Sequence, residues 1–169
     1  ATVLANYQQT KIGQPNLSEP IGFDQLPDGR IIQTDRRGGI HLHDLTTGTS
    51  RVISTIPVYN HSEDGMYGGA VDNNFSANKW VYLFYAPPNV DNITYSDGTT
   101  GHTNNFDAAS GRSNSAGPTQ AVNISDYDSW IGYFQLSRFK FVDDVPGGDP
   151  AHLDLASEQQ ILRVPVNRG

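Results

Sequence analysis

An imidazole and two carboxylates stand close together at His61, Glu63 and Asp64, and a glycine-rich run follows at once, Gly65-Met66-Tyr67-Gly68-Gly69. His61 and Glu63 are two residues apart, so in an extended segment they point to the same side, where they can share a proton or hold the hydroxyls of one sugar ring. A neutral imidazole of ordinary pKa is a competent general base near neutrality. The plainer alternative is a rim histidine bonded to backbone. Asp64 either meets the substrate or caps the turn. Tyr67 either donates its phenol to a substrate oxygen or packs as an aromatic, and Arg36 either neutralises an acidic substrate or bridges neighbouring sheets. Glycines let the backbone take positive φ and approach a neighbour closely, and a charged trio beside them is poor core material, so the group is expected at a rim or pocket. His41 and His43 alternate on one strand face. As a metal pair they lack a third ligand, so they are expected to face solvent, and no metal site is expected.

The elements that must position these residues read as strands. Ile21–Leu26 alternates, Pro27-Asp28-Gly29 turns, and Arg30–Asp35 returns as a hairpin. A turn at Arg37-Gly38-Gly39 opens Ile40-His41-Leu42-His43-Asp44, with Ile40 and Leu42 on one side, and Thr47-Gly48-Thr49 leads into Arg51-Val52-Ile53. The pattern restarts at Gly69-Ala70-Val71-Asp72, turns at Asn73-Asn74 and continues in the aromatic strand Trp80–Tyr85, with Gly22 and Gly69 in like positions. A strand–turn–strand unit recurring every ~40–50 residues is what the blade of a β-propeller gives. Residues 87–127 form a polar insertion in which neither strand nor helix reads, either a cleft wall or plain surface elaboration. Strand signal returns at 130–141, with Phe139 and Phe141 on one face and Arg138 and Lys140 on the other, and a short turn and strand are expected at 156–165. Helix is nearly absent.

With 11 Lys and Arg against 18 Asp and Glu, a net charge of -7 excludes a partner recognised through a phosphate backbone. The absence of cysteine excludes a disulfide framework and a thiolate metal site within the chain. No stretch is apolar enough to span a bilayer, and a start at Ala1 without Met is what a signal-cleaved protein or a fragment shows. Asn16, Asn60, Asn74, Asn92 and Asn123 each open an N-x-S/T acceptor sequence, which points to a secreted glycoprotein. Asn92 and Asn123 have the most room for a glycan, whereas one on Asn60 would crowd His61.

Pro27-Asp28-Gly29-Arg30, Arg36 with Gly38-Gly39-Ile40, Val58-Tyr59, Glu63-Asp64-Gly65-Met66-Tyr67-Gly68, Asp72-Asn73-Asn74-Phe75, Val81-Tyr82-Leu83 and Leu136-Ser137-Arg138-Phe139 follow one another in a fixed order. In these blocks the chain resembles the N-terminal third of the glucose/sorbosone-dehydrogenase-like β-propellers, the superfamily of soluble quinoprotein aldose dehydrogenases. The likeness extends over most of the chain outside 87–127. It implies an all-β propeller of roughly six or more blades, with residues 1–169 as the N-terminal part of one domain giving the first two to three. The remaining blades would come from a second chain or a missing C-terminal part. The function implied is that of a quinone-dependent sugar dehydrogenase using pyrroloquinoline quinone (PQQ) and calcium. The family's catalytic-base segment and its cofactor ligands would then lie beyond Gly169. Glu63 matches a position where the family carries a polar residue lining the sugar pocket. A carboxylate there, beside His61, departs from the family and leaves two other functions open. One is a polysaccharide lyase that eliminates across a uronic acid with His61 as base, and the other is a carbohydrate-binding propeller without catalysis.

Overall fold

The computed structural model describes residues 19–60, 63–88, 106–107, 112–113 and 131–167. Four strands follow one another in the first sheet, β1 (Pro20–Gln25), β2 (Ile31–Asp35), β3 (Gly39–Asp44) and β4 (Thr49–Thr55), each antiparallel to the last. Their turns are closed by local chemistry. Gly29 sits at φ +93°, with its N–H donating to the Leu26 carbonyl at 2.9 Å. The Asp44 carboxylate accepts from the Thr46 and Thr47 N–H groups at 2.8 and 3.2 Å, an Asx turn that starts the next hairpin.

The second sheet has the order β5 (Met66–Val71), β6 (Trp80–Tyr85), β9 (Ile131–Val142) and β10 (His152–Asn167), again antiparallel throughout. A single helical turn, α1 (Phe75–Asn78), links β5 to β6 and stops at Lys79 in the left-handed region. Between β6 and β9, in the span expected to hold no strand, β7 (Phe106–Asp107) and β8 (Arg112–Ser113) pair with each other. The last strand is also longer than the 156–165 expected. Its register slips between Asp154 and Gln159 and again between Gln160 and Leu162. Those extra residues break the period-2 pattern in sequence, while pairing with the unbroken β9 holds the backbone extended.

The sheets stack face to face with like edge on like edge, β1 over β5 and β4 near β10. Glycines set the spacing at the first edge. A Cβ on Gly22 would lie 3.6 Å from the Gly68 Cα, and one on Gly69 would come within 2.9 Å of Leu83 Cδ2 and 3.1 Å of Thr34 Cγ2. At the other edge side chains intervene, as where the Leu153 N–H donates to Ser54 Oγ at 2.8 Å. The pair is therefore a wedge, thin at β1/β5 and thick at β4/β10, which is the repeating shape that closes into a propeller. Ile32, Ile40 and Leu42 from one sheet and Val81, Leu83 and Phe139 from the other fill the wedge, all essentially buried. Each such side chain contributes about 1.5–3 kcal/mol on leaving water.

His41 and His43 do not face solvent as expected; both are buried. They do lie opposite Ile40 and Leu42, but alternation along a strand says only which face a side chain takes, not whether that face is wet. Neighbouring strands supply polar partners that satisfy both rings. His41 Nε2 lies 2.8 Å from Asp35 Oδ2, and His43 has Ser50 Oγ 2.7 Å from Nδ1 and Gln33 Oε1 2.9 Å from Nε2.

Candidate functional site

Residues 56–60 leave the thick edge of the first sheet and residues 63–65 enter the thin edge of the second, and Arg36 holds both stretches in place. Arg36 lies in the β2–β3 turn, where Asp35 accepts from the N–H groups of Arg37 and Gly39, both at 2.9 Å. Its Nε donates to Glu19 Oε2 at 3.0 Å, and Nη1 donates to the carbonyls of Asn60 at 2.9 Å and Asp64 at 3.0 Å. Its own carbonyl accepts from the Met66 N–H at 2.9 Å, starting β5. A charge-assisted donor thus fixes backbone on both sides of residues 61–62. Gly65 is required beside it, since at φ +148° a Cβ would overlap the Arg36 carbonyl oxygen.

The sequence-derived site residues fall out differently against this frame. Glu63 is exposed, next to the thin edge of the wedge. Asp64 is half-buried and accepts from the Tyr67 hydroxyl, whose ring packs against Phe84 and Phe134 with centroids 5.5 and 5.0 Å away. Arg36 bridges the two sheets. His61 lies outside the described residues, as do Asn16, Asn92 and Asn123. Of the two described acceptor asparagines, Asn74 is exposed before α1, while the Asn60 side-chain oxygen is buried. The structure therefore brings Arg36, Glu63, Asp64 and Tyr67 to one end of the sheets.

Hollows lie elsewhere among the described residues. One of about 280 Å³ lies on the outward face of the first sheet, among Ile21, Phe23, Ile31, Gln33 and His43. One of about 400 Å³ lies at the opposite end of β1 and β5, among Asp24, Pro27, Gly29 and Asp72. Neither includes Glu63, which is exposed at its own end of the sheets. Among the described residues no group of three or more His, Asp or Glu is arranged to hold a metal ion, and no helix is long and apolar enough to cross a membrane.

Sequence reading missed two polar clusters. In the first sheet it is the Asp35–His41 pair with His43, whose one available signal was an Asp opening the turn Asp35-Arg36-Arg37-Gly38. In the second it is the meeting of the buried Tyr85, Gln135 and Ser137 on the exposed Glu158, whose Oε1 accepts from the Tyr85 hydroxyl at 2.8 Å, Gln135 Nε2 at 2.7 Å and Ser137 Oγ at 2.7 Å. Burial first, then the bond to Glu158, raises the Tyr85 phenol well above its ordinary pKa, so it remains a donor. Nothing in the local sequence marks that convergence.

The family model described as glucose/sorbosone dehydrogenase matches residues 17–115, more than half of the chain. No curated protein sequence matches it. Among solved structures, the PQQ-bound aldose sugar dehydrogenase of Streptomyces coelicolor is similar at 15% identity and a TM-score of 0.52, over 88% of this chain and 31% of its own. The apo form of the soluble aldose sugar dehydrogenase of Escherichia coli is similar at 15% identity and a TM-score of 0.50, over 87% and 30%. A third, an oxidoreductase (glucose dehydrogenase) of Thermus thermophilus, is similar at 18% identity and a TM-score of 0.50, over 88% and 29%. At such identities the likeness is one of fold, that of β-propeller dehydrogenases, with the two four-stranded sheets as blades. The chain spans about 30% of the length of these structures.

Proposed function

Because the chain belongs to the glucose/sorbosone dehydrogenase family, we propose that it forms the first blades of a secreted propeller enzyme that oxidises a sugar. The observation that carries this reading is the Arg36 clamp. It fixes the backbone at Asn60 and Asp64 and leaves Glu63 exposed at the thin edge of the wedge, where a ring of blades would converge. Glu63 holds sugar hydroxyls as a charged acceptor. His61, two residues before it, is the proton acceptor or a second sugar ligand, while Asp64, tied to Tyr67, keeps the loop in shape. PQQ, the group bound in the Streptomyces coelicolor structure, is proposed as the hydride acceptor of the whole protein, with calcium beside it. The described residues make no cradle for it. Its carboxylates call for cations, yet at this end Arg36 is spent on Glu19 and two carbonyls, and Arg37 Nε leans on Glu19 at 3.5 Å. We therefore place the cofactor ligands outside the described residues, and assign no step of the reaction to residues that would touch it.

The family match favours oxidation over elimination by a lyase and over binding without catalysis. The deciding experiment uses the protein expressed from its complete gene and supplied with PQQ. Sugar-dependent dye reduction is measured beside the absorbance of unsaturated uronates. Dye reduction is the expected outcome, with Glu63→Gln raising KM about tenfold, the size of one charge-assisted hydrogen bond. His61→Ala should lower kcat by about 10²–10⁴ where it is the proton acceptor. Uronate absorbance alone would install the lyase reading. If both variants fold and stay within about threefold of the parent, well short of what loss of a general base costs, these residues are scaffold. For the glycoprotein reading, a sugar-bearing Asn74 in the mass spectrum of the secreted protein is expected, with Asn60 unmodified.

A further inference from the structure

Arg163, in β10, is an exposed cation that the fold orients without pairing. Its Nε donates to Gln135 Oε1 at 2.7 Å, and its guanidinium carbon lies 4.1 Å from the centre of the Tyr133 ring. Gln135 is only 4% exposed and is itself locked, since its Nε2 donates to Glu158 Oε1 at 2.7 Å, Ser137 Oγ at 2.9 Å and the Tyr85 hydroxyl at 3.0 Å. One nitrogen and one face of the guanidinium are therefore fixed, while the Nη1 and Nη2 edge donates to nothing among the described residues. Arg30, Arg36, Arg37 and Arg51 each pair with an Asp or Glu. In a chain with 18 Asp and Glu against 11 Lys and Arg, a cation left out of such pairs is a departure. Arg138 also lacks a carboxylate among the described residues, but its Nε and Nη2 are both bonded to Gln159 Oε1. Register sets Arg163 at the end of the sheets that carries Glu63. Met66, Tyr85, Gln135 and Arg163 stand in one row across β5, β6, β9 and β10, and beyond that row β9 and β10 continue past β6 as a two-stranded ribbon. Phe134 in the ribbon packs on Tyr67, which is tied to Asp64, so the ribbon is braced by the loop that holds Glu63.

We propose that Arg163 binds the carboxylate of an acidic saccharide, a uronic acid unit in an oligosaccharide whose other end lies at Glu63. The Nη1 and Nη2 edge presents two parallel N–H donors, the arrangement that a planar carboxylate accepts in bidentate fashion. Because Gln135 and Tyr133 already hold the side chain, little rotamer freedom is lost when the ligand arrives. Three strand spacings, about 14 Å, separate β5 from β10, so a ligand that reaches both Glu63 and Arg163 is longer than one sugar ring. The same distance separates Arg163 from the cofactor, since β10 is the outer strand of its sheet and the blades converge at β5. The inference deepens the sugar reading above and rests on it for the placing of the rest of the saccharide at Glu63.

The test is calorimetric titration of the protein expressed from its complete gene with tetragalacturonate and with the neutral tetrasaccharide made by reducing its carboxylates. The acidic ligand should bind about tenfold or more tighter than the neutral one, the size of a charge-assisted hydrogen bond, and Arg163→Gln should abolish that preference. No preference in the unmutated protein overturns the proposal, as does a preference that survives Arg163→Gln. Tighter binding of a sulfated neutral tetrasaccharide than of tetragalacturonate overturns the assignment to a carboxylate. A loss of PQQ affinity in Arg163→Gln, read by the same titration, makes the residue a cofactor ligand and overturns it equally. If Arg163→Gln yields no folded protein, Arg163→Lys takes its place, and its loss of the fork with retention of the charge should shrink the preference several-fold; an unchanged preference overturns the proposal. Sugar-dependent dye reduction by the unmutated protein is scored separately. A preference for the acidic ligand without dye reduction keeps the anion site and removes the oxidation reading, and dye reduction without a preference does the reverse.

Discussion

The two sheets reach the same four-stranded shape by opposite routes. The first is built from contiguous sequence, residues 20–55, with short turns that carry their own chemistry: a glycine at positive φ, an Asx turn, a carboxylate folded over the turn that follows it. The second collects strands from residues 66 to 167, and its outer strands are fastened to its inner ones by side chains distant in sequence. Tyr85, Gln135 and Ser137 all donate to one carboxylate oxygen of Glu158, and Gln135 Oε1 in turn accepts from Arg163 Nε at 2.7 Å. Stability in the first sheet is thus concentrated in backbone turns, and in the second it is spread over a polar staple across β6, β9 and β10. Substitutions can separate the two.

The largest effect is expected at Gly38. It lies at φ +91° in the β2–β3 turn, its carbonyl accepts from the Ile56 N–H at 2.9 Å, and a Cβ there would overlap the Ile56 carbonyl oxygen. Gly38→Ala should cost on the order of 3–5 kcal/mol, combining positive-φ strain with a backbone clash that nothing flexible can relieve. Gly29→Ala is its control. The same kind of φ, +93°, has open space around it, so only the strain is lost, about 1 kcal/mol. Urea unfolding of both variants checks the difference, and equal losses would mean that turns do not carry the first sheet.

A smaller, differently placed effect is expected at Glu158. Glu158→Ala leaves the hydroxyls of Tyr85 and Ser137 and the amide of Gln135 without their shared acceptor, at a cost of about 1–3 kcal/mol. Amide hydrogen exchange should quicken in β9 and β10 and stay slow in β2 and β3. Uniform quickening would show that the two sheets unfold as one unit and that the contrast is only geometric.

That contrast also governs what could be read from sequence. The hairpins of the first sheet, the blade-like repeat and the facing of Phe139 and Phe141 away from Arg138 and Lys140 were all legible, because period-2 alternation and turn residues act over a few positions. Gly22 and Gly69 were legible as equivalent, and they meet at the thin edge where the two sheets touch. The bulged start of β10, the burial of His41 and His43 and the convergence on Glu158 were not, since each depends on what a distant strand brings alongside. The candidate site was half legible. Glu63 and Arg36 were marked by type and spacing, but the role of Arg36 as a clamp on two carbonyls depends on a loop that sequence does not place.

The smallest effect, absent at neutral pH, tests whether the buried histidines of the first sheet are a weakness that the second does not share. Burial first, and then the neighbouring His41, lowers the His43 pKa from its ordinary value of 6.5. The ring is suited to staying neutral, since Nε2–H donates to Gln33 Oε1 while Nδ1 accepts from Ser50 Oγ, and an added proton would break the second bond. His41, backed by Asp35, is the charged or titratable company it has on that face. In the unfolded chain His43 takes its proton at an ordinary pKa, so below about 6.5 the unfolded state binds more protons and stability falls with pH, levelling off only beneath the folded pKa. Asp28 and Asp143 are lowered from 3.8 chiefly by their bonds to Arg30, so their contribution begins to be lost only under more acidic conditions than that of His43. His43→Gln removes the titrating group, so its urea midpoint should fall less between pH 7.5 and pH 5 than that of the parent. Equal falls in the two proteins would assign the acid sensitivity to another group and leave His43 as ordinary packing.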